Sequence, residues 1–194
     1  MKTALDYSTP DANVFWTAGL DGRGQIVGMG DSGIDMQSCF FSDPQNPFVL
    51  PVGSKEWVNP QHRKVVYYYG LADEYFRDLV GHGTHTAGSV AGFNPNAPDS
   101  KATGAAKGAR LAFTDLSRTA GGDVNAPPNL ERDYFPRMYA NGARIFSGGY
   151  RQRGRPQAAT QTDKYQQLWG GVSVTRKHTL IHDPCMHATM YFSR

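Results

Sequence analysis

The sequence predicts an α/β fold, a doubly wound parallel sheet with helices on both faces. Short apolar or β-branched runs recur at residues 26–29, 65–69, 111–113 and 143–147. Segments carrying helix start or stop signals lie between them, and glycine-rich turns at 19–24, 104–108 and 141–142 separate the two kinds. Such alternation marks a parallel sheet, because parallel neighbours need a long connection that packs back on the sheet as a helix.

Taken in order, Ser8, Thr9, Pro10 and Asp11 open a helix: a hydroxyl for the cap, a proline in the first turn and an acid at the positive end of the dipole. That helix passes through Val14, Phe15 and Trp16 and ends at Gly19. After a turn, Ile26-Val27-Gly28-Met29 reads as a buried strand with Asp31 at its C-terminal end, where chemistry gathers in open α/β sheets. Residues 36–62, rich in proline, asparagine and aromatics without a period, read as a long surface excursion. Val65-Val66-Tyr67-Tyr68-Tyr69 is strand-like. A helix follows Gly81, and Ala87, Gly88, Ala91 and Gly92 are small enough to bring it close to the sheet. A turn at 104–109 leads into the strand 111–113, Asn129 caps a helix from Leu130 to about Ala140, and Asn141-Gly142 ends it before the strand 143–147.

With 194 residues, 39% apolar and 12% aromatic, the chain is long enough to bury a core. Net charge is −2 over residues 1–150 and +5 over 151–194, which divides the chain into a packed domain and a divergent basic tail with little apolar periodicity. Arg151, Arg153 and Arg155 lack the interleaved aromatics of a single-strand binding platform, so no nucleic-acid partner is expected. Cys39 and Cys185 are too few to define a disulfide framework. No apolar run reaches transmembrane length, and the first six residues lead into no signal-peptide core. The compartment is left open.

Two segments carry the chemistry. Gln25-Ile26-Val27-Gly28-Met29-Gly30-Asp31-Ser32-Gly33-Ile34-Asp35 comes first, and Gly81-His82-Gly83-Thr84-His85-Thr86-Ala87-Gly88 follows. A lone Asp-Ser-Gly or His-x-x-His is ordinarily a turn acid or a surface histidine. Two extended blocks in this order are far more specific, and they resemble the aspartate and histidine motifs of the subtilisin-like serine proteases, the subtilases. The stretch 104–116 resembles that family's strand entry, with Lys107 where proline is common, and 144–150 resembles its substrate-binding strand, departing from it at Gly149 and Tyr150.

The resemblance, which spans about residues 10–147, implies a partial subtilisin-like sheet and a serine endopeptidase acting on peptides or proteins. It places the catalytic acid at Asp31, the general base at His82, a structural role at His85, and substrate binding at Ser147. Ser32, beside the acid, is expected to serve only local hydrogen bonding. Calcium is allowed by the resemblance alone, and full-length members are commonly secreted. No Gly-Thr-Ser-Met-Ala-like serine motif and no Ala-Ala-Gly-Asn-like oxyanion segment occurs in the sequence. The chain therefore reads as truncated and inactive alone, with the nucleophile and an oxyanion donor both missing. Rival readings are a non-catalytic remnant that binds peptides or a pro-segment, and zinc binding by His178, His182, Cys185 and His187. No second ligand pair frames the latter, and no metal ligand is assigned.

Overall fold

The structure, a computed structural model, describes residues 14–49, 53–71, 78–100, 102–117, 124 and 126–148. The helix-start signal at 8–11, the domain division near 150 and the whole basic tail with its zinc-like spacing lie outside the described residues. Helix α1 (Val14–Thr17) precedes strand β1 (Ile26–Asp31); β2 (Glu56–Val58), β3 (Val65–Gly70), helix α2 (His82–Ala91), β4 (Arg110–Asp115), helices α3 (Leu130–Asp133) and α4 (Phe135–Ala140), and β5 (Ile145–Gly148) follow.

The sheet order is β2-β3-β4-β1-β5. Strands β3, β4, β1 and β5 run parallel, with Asp31 of β1 level with Asp115 of β4 and Met29 level with Ser147 of β5. Side chains alternate across a strand, and the two faces collect different helices. Val27, Met29, Leu111 and Phe113 pack with Ala87 and Ala91 of α2, whereas Ala112 and Leu116 pack with Tyr134, Ala143 and Met138 of α4. Helices therefore cover both faces, as the alternation predicts. On the second face Gly28 leaves the room that Phe146 occupies; a methyl there would sit 2.5 Å from its ring.

A register shift between Val65 and Tyr67 inserts a bulge in β3. It explains why Val65 and Tyr68 join the α2-side core while Val66 and Tyr67 join the opposite one. Strict alternation would not place them so.

Four sequence expectations change. The sheet is not wholly parallel, because β2 pairs antiparallel to β3, with Trp57 opposite Tyr68. β2 itself comes from the segment 36–62, which is no surface excursion: Met36, Phe40, Phe41, Trp57 and His62 are all buried. Its path is irregular because it is held by side chain to backbone bonds, which have no period. Arg63 donates to the carbonyls of Cys39, Ser42 and Phe93, and Asp43 accepts from the Arg63 amide.

The helix expected from Leu130 to Ala140 is broken at Tyr134, whose φ of −120° is not helical. Pro136 is the cause: it has no amide to donate to residue 132 and its ring crowds that carbonyl, so it sits instead in the first turn of a new helix, where no amide is needed. The Asn129 cap forms as expected, its side chain accepting from the Arg132 amide. Finally, the small residues of α2 divide. Ala87 and Ala91 are fully buried against the sheet, but a methyl at Gly88 would meet nothing within 4 Å.

Candidate functional site

Asp31 ends β1 on the same face as Val27 and Met29, the face that α2 covers. Its side chain is fully buried, whereas that of His82, the first residue of α2, is 41% exposed. Asp31 Oδ1 lies 2.7 Å from His82 Nδ1 and accepts from the Ser32 amide at 2.7 Å. Asp31 Oδ2 accepts from the Thr86 hydroxyl at 2.9 Å. A buried carboxylate satisfied on both oxygens can stay ionised where an unpaired one could not. It fixes the imidazole: with Nδ1 donating to Asp31, Nε2 is the nitrogen left to take a proton.

The start of α2 is built to hold this pair. Gly81 occupies the cap position with φ of 82° and offers no side chain. Asp78 does the capping from outside the helix, accepting from the amides of Val80 and Gly81 on Oδ1 and from Thr84 on Oδ2. A carboxylate there also complements the positive end of the helix dipole. Ser32, buried at 2% exposure, donates to Asp78 and accepts from the Gly83 amide at 3.0 Å, and Thr84 accepts from the Asp35 amide. The turn after β1 and the first turn of α2 are thus stitched together, and Ser32 has the local bonding role expected of it.

Electrostatics follow from this arrangement. His82 titrates above the ordinary imidazole value, chiefly through its bond to Asp31; burial opposes the shift, and the charges of Asp31 and Asp78 add to it. One strand over, Asp115 accepts from the Tyr68 hydroxyl at 2.8 Å and from the Ser117 amide. Burial foremost, then the Asp115 charge, pushes the Tyr68 phenol up.

Of the residues singled out from sequence, Asp31 and His82 are brought into direct contact. Ser147 lies half-buried on β5, level with Met29 and so on the same sheet face, related to Asp31 by strand register. His85 donates its amide to the Gly81 carbonyl within the first turn of α2. Asp78, Thr86 and Asp115 were not assigned from sequence. Thr86 stands four residues from His82 on α2, which is the spacing of one helix face, whereas Asp78 lies before the helix and carries no such signal. Among the described residues, no group of three or more His, Cys, Asp or Glu could hold a metal, and no helix is long and apolar enough to cross a membrane.

A family model described as "Subtilase family" matches residues 22–178. The chain is 39% identical over 132 residues to the Serine protease/ABC transporter B family protein tagD of Dictyostelium discoideum, covering 65% of this chain and 7% of that protein. It is 40% identical over 129 residues to tagB of the same organism, named likewise, covering 65% of this chain and 6% of that protein. Among solved structures it is similar in fold to the Clostridium perfringens CspB protease, with a TM-score of 0.55 and 19% identity over 80% of this chain and 35% of that one. The chain spans less than a tenth of the length of the two curated relatives.

Proposed function

The chain belongs to the subtilase family, and on that footing we propose that Asp31 and His82 are the acid and general base of a serine endopeptidase that cleaves peptide bonds. The observation that carries this reading is the 2.7 Å contact between the buried Asp31 carboxylate and Nδ1 of a partly exposed His82. In such a site the base removes a proton from a serine hydroxyl as it attacks the scissile carbonyl, then returns it to the leaving amine. The carboxylate holds the imidazole in the tautomer that leaves Nε2 as acceptor and stabilises the imidazolium that forms. The raised titration of His82 is the equilibrium expression of the same stabilisation.

The 194 residues hold no Gly-Thr-Ser-Met-Ala-like segment. On this reading the chain alone supplies acid and base and forms no acyl-enzyme. Ser147 is proposed to lie along the peptide-binding edge, and a peptide or protein is the proposed substrate. The test is reaction of the purified chain with a fluorophosphonate probe. We expect no stoichiometric labelling; labelling at Ser32, Ser147 or Ser173 that disappears in His82→Ala would overturn the assignment of an absent nucleophile.

A further inference from the structure

We propose that Thr86 is a positioning residue for the acid–base pair, its hydroxyl gripping Asp31 Oδ2 while His82, one turn earlier on the same helix, takes Oδ1. The inference rests on the proposed roles of Asp31 and His82, and it adds a residue that those roles alone do not require. Positions 82 and 86 are four apart on α2 and so share a face. One helix thereby presents two groups to one carboxylate, Nδ1 at 2.7 Å on Oδ1 and the Thr86 hydroxyl at 2.9 Å on Oδ2.

The bland alternative is a helical threonine bonded to its own backbone, a common arrangement. The Gly83 carbonyl, three residues earlier, is indeed 3.1 Å from the Thr86 oxygen. A hydroxyl has one proton, and the two acceptors compete for it. The carboxylate is nearer and ionised, and charge-assisted hydrogen bonds are roughly twice as strong as neutral ones, so Asp31 holds the proton. The group is half-buried, which limits competition from water.

Two consequences follow for His82. With Oδ1 already held by His82 and the Ser32 amide, the bond at Oδ2 secures the other oxygen and with it the plane of the carboxylate. The Thr86 hydroxyl also draws on the same negative charge that stabilises the imidazolium. Removing it leaves more of that charge to His82, and the imidazole binds its proton more tightly. Asp78 also acts electrostatically on His82; its capping bonds do not involve Thr86, so its effect is constant across Thr86 variants.

The experiment is an NMR pH titration of the His82 ring, with its low-field Nδ1 proton, in the unmodified chain, Thr86→Val and Thr86→Ser. Valine keeps the branched shape without the hydroxyl; serine keeps the hydroxyl. We expect the His82 midpoint to move up in Thr86→Val and to return to the unmodified value in Thr86→Ser. A Thr86→Val midpoint that is unchanged or lower overturns the proposal, because a threonine that merely packs would not move it upward. Should the valine variant not fold, the Thr86 hydroxyl proton of the unmodified chain gives the second readout. Bound to Asp31 it exchanges slowly and lies downfield; exchange at the rate of a free hydroxyl overturns the proposal. Failure of the underlying pair has a different signature, an unmodified His82 that titrates at or below the ordinary imidazole value.

Discussion

Two glycines on α2, five residues apart, should respond to the same substitution with opposite sign. Gly83 follows the proposed base, and a methyl built there runs into the Gly33 carbonyl oxygen and comes within 3.1 Å of Asp31 Cβ. The obstacle is backbone, so no side-chain rotation relieves it, and the start of α2 must move off β1. Overpacking of this kind costs about 1–3 kcal/mol. Displacement also loosens the bond from the Gly83 amide to Ser32, worth about 1 kcal/mol. Against this, alanine favours the helix over glycine by about 1 kcal/mol. The sum for Gly83→Ala is a loss of about 1–3 kcal/mol. At Gly88 a methyl meets nothing within 4 Å, so only the propensity term operates and Gly88→Ala should gain about 0.5–1 kcal/mol. Urea unfolding followed by far-ultraviolet circular dichroism measures both, with matching slopes as the check on a common two-state transition. Gly83→Ala should also bring the His82 titration down toward the ordinary imidazole value, since the helix that carries His82 has been pushed from Asp31. A Gly83→Ala chain as stable as the parent, or a Gly88→Ala chain less stable than it, would refute the close approach of α2 to the Gly33 turn.

Arg63 donates to three backbone carbonyls of the 39–42 and 93 segments; Arg63→Met should cost about 2–4 kcal/mol by leaving them unpaired, and Arg63→Lys should recover less than half in the same unfolding assay, since one ammonium cannot span all three. His62, fully buried with Nδ1 accepting from the Lys64 and Val65 amides, is held down at about 4 by burial. The unfolded chain binds the proton near 6.5, so acidification from 6.5 to about 4 should drain up to about 3 kcal/mol of stability. His62→Asn keeps an acceptor without titrating, and its stability should fall less steeply over that window; parallel curves would show that His62 is not the group responsible. His82 has the opposite sign: its raised folded value means the Asp31 contribution is complete below the unfolded value of 6.5 and fades as pH rises through the folded one. Asp31→Asn should remove this second trend alone.

The parts of this molecule that could be read from sequence are those in which one segment carries its own rule. The β1 and β4 runs reveal themselves because every residue from Val27 to Gly30 and from Leu111 to Phe113 is buried between two helical layers, which requires continuous apolar or small residues. The break at Tyr134 is equally local, since Pro136 announces it, but the Asn129 cap and the Asn141-Gly142 stop frame residues 130–140 as one helix. The segment 36–62 hides its burial for a deeper reason. Phe41, Trp57 and His62 reach the core through turns fixed by Asp43 and Arg63, and such a path leaves no period in the sequence.

The site divides the same way. Asp31 and His82 stand out because the glycines around them are demanded by the fold, Gly83 by the Gly33 carbonyl, Gly28 and Gly30 by the rings of Phe146 and Tyr134, and Gly33 and Gly81 by their positive φ, so each motif extends well beyond one residue. Thr86 and Asp78 do not stand out, since their partners, Asp31 and Ser32, are 55 and 46 residues distant and only the docking of α2 on β1 joins them. Once that docking is known, the histidine segment acquires a second meaning. Its glycine at 83 lets the helix approach, His82 takes one oxygen of the Asp31 carboxylate, and Thr86 takes the other. The Asp31 carboxylate is therefore held as much by α2, which bears His82 and Thr86, as by β1, which bears Asp31 itself. Substitutions along α2 should accordingly register at His82 even where they touch neither ring nor carboxylate.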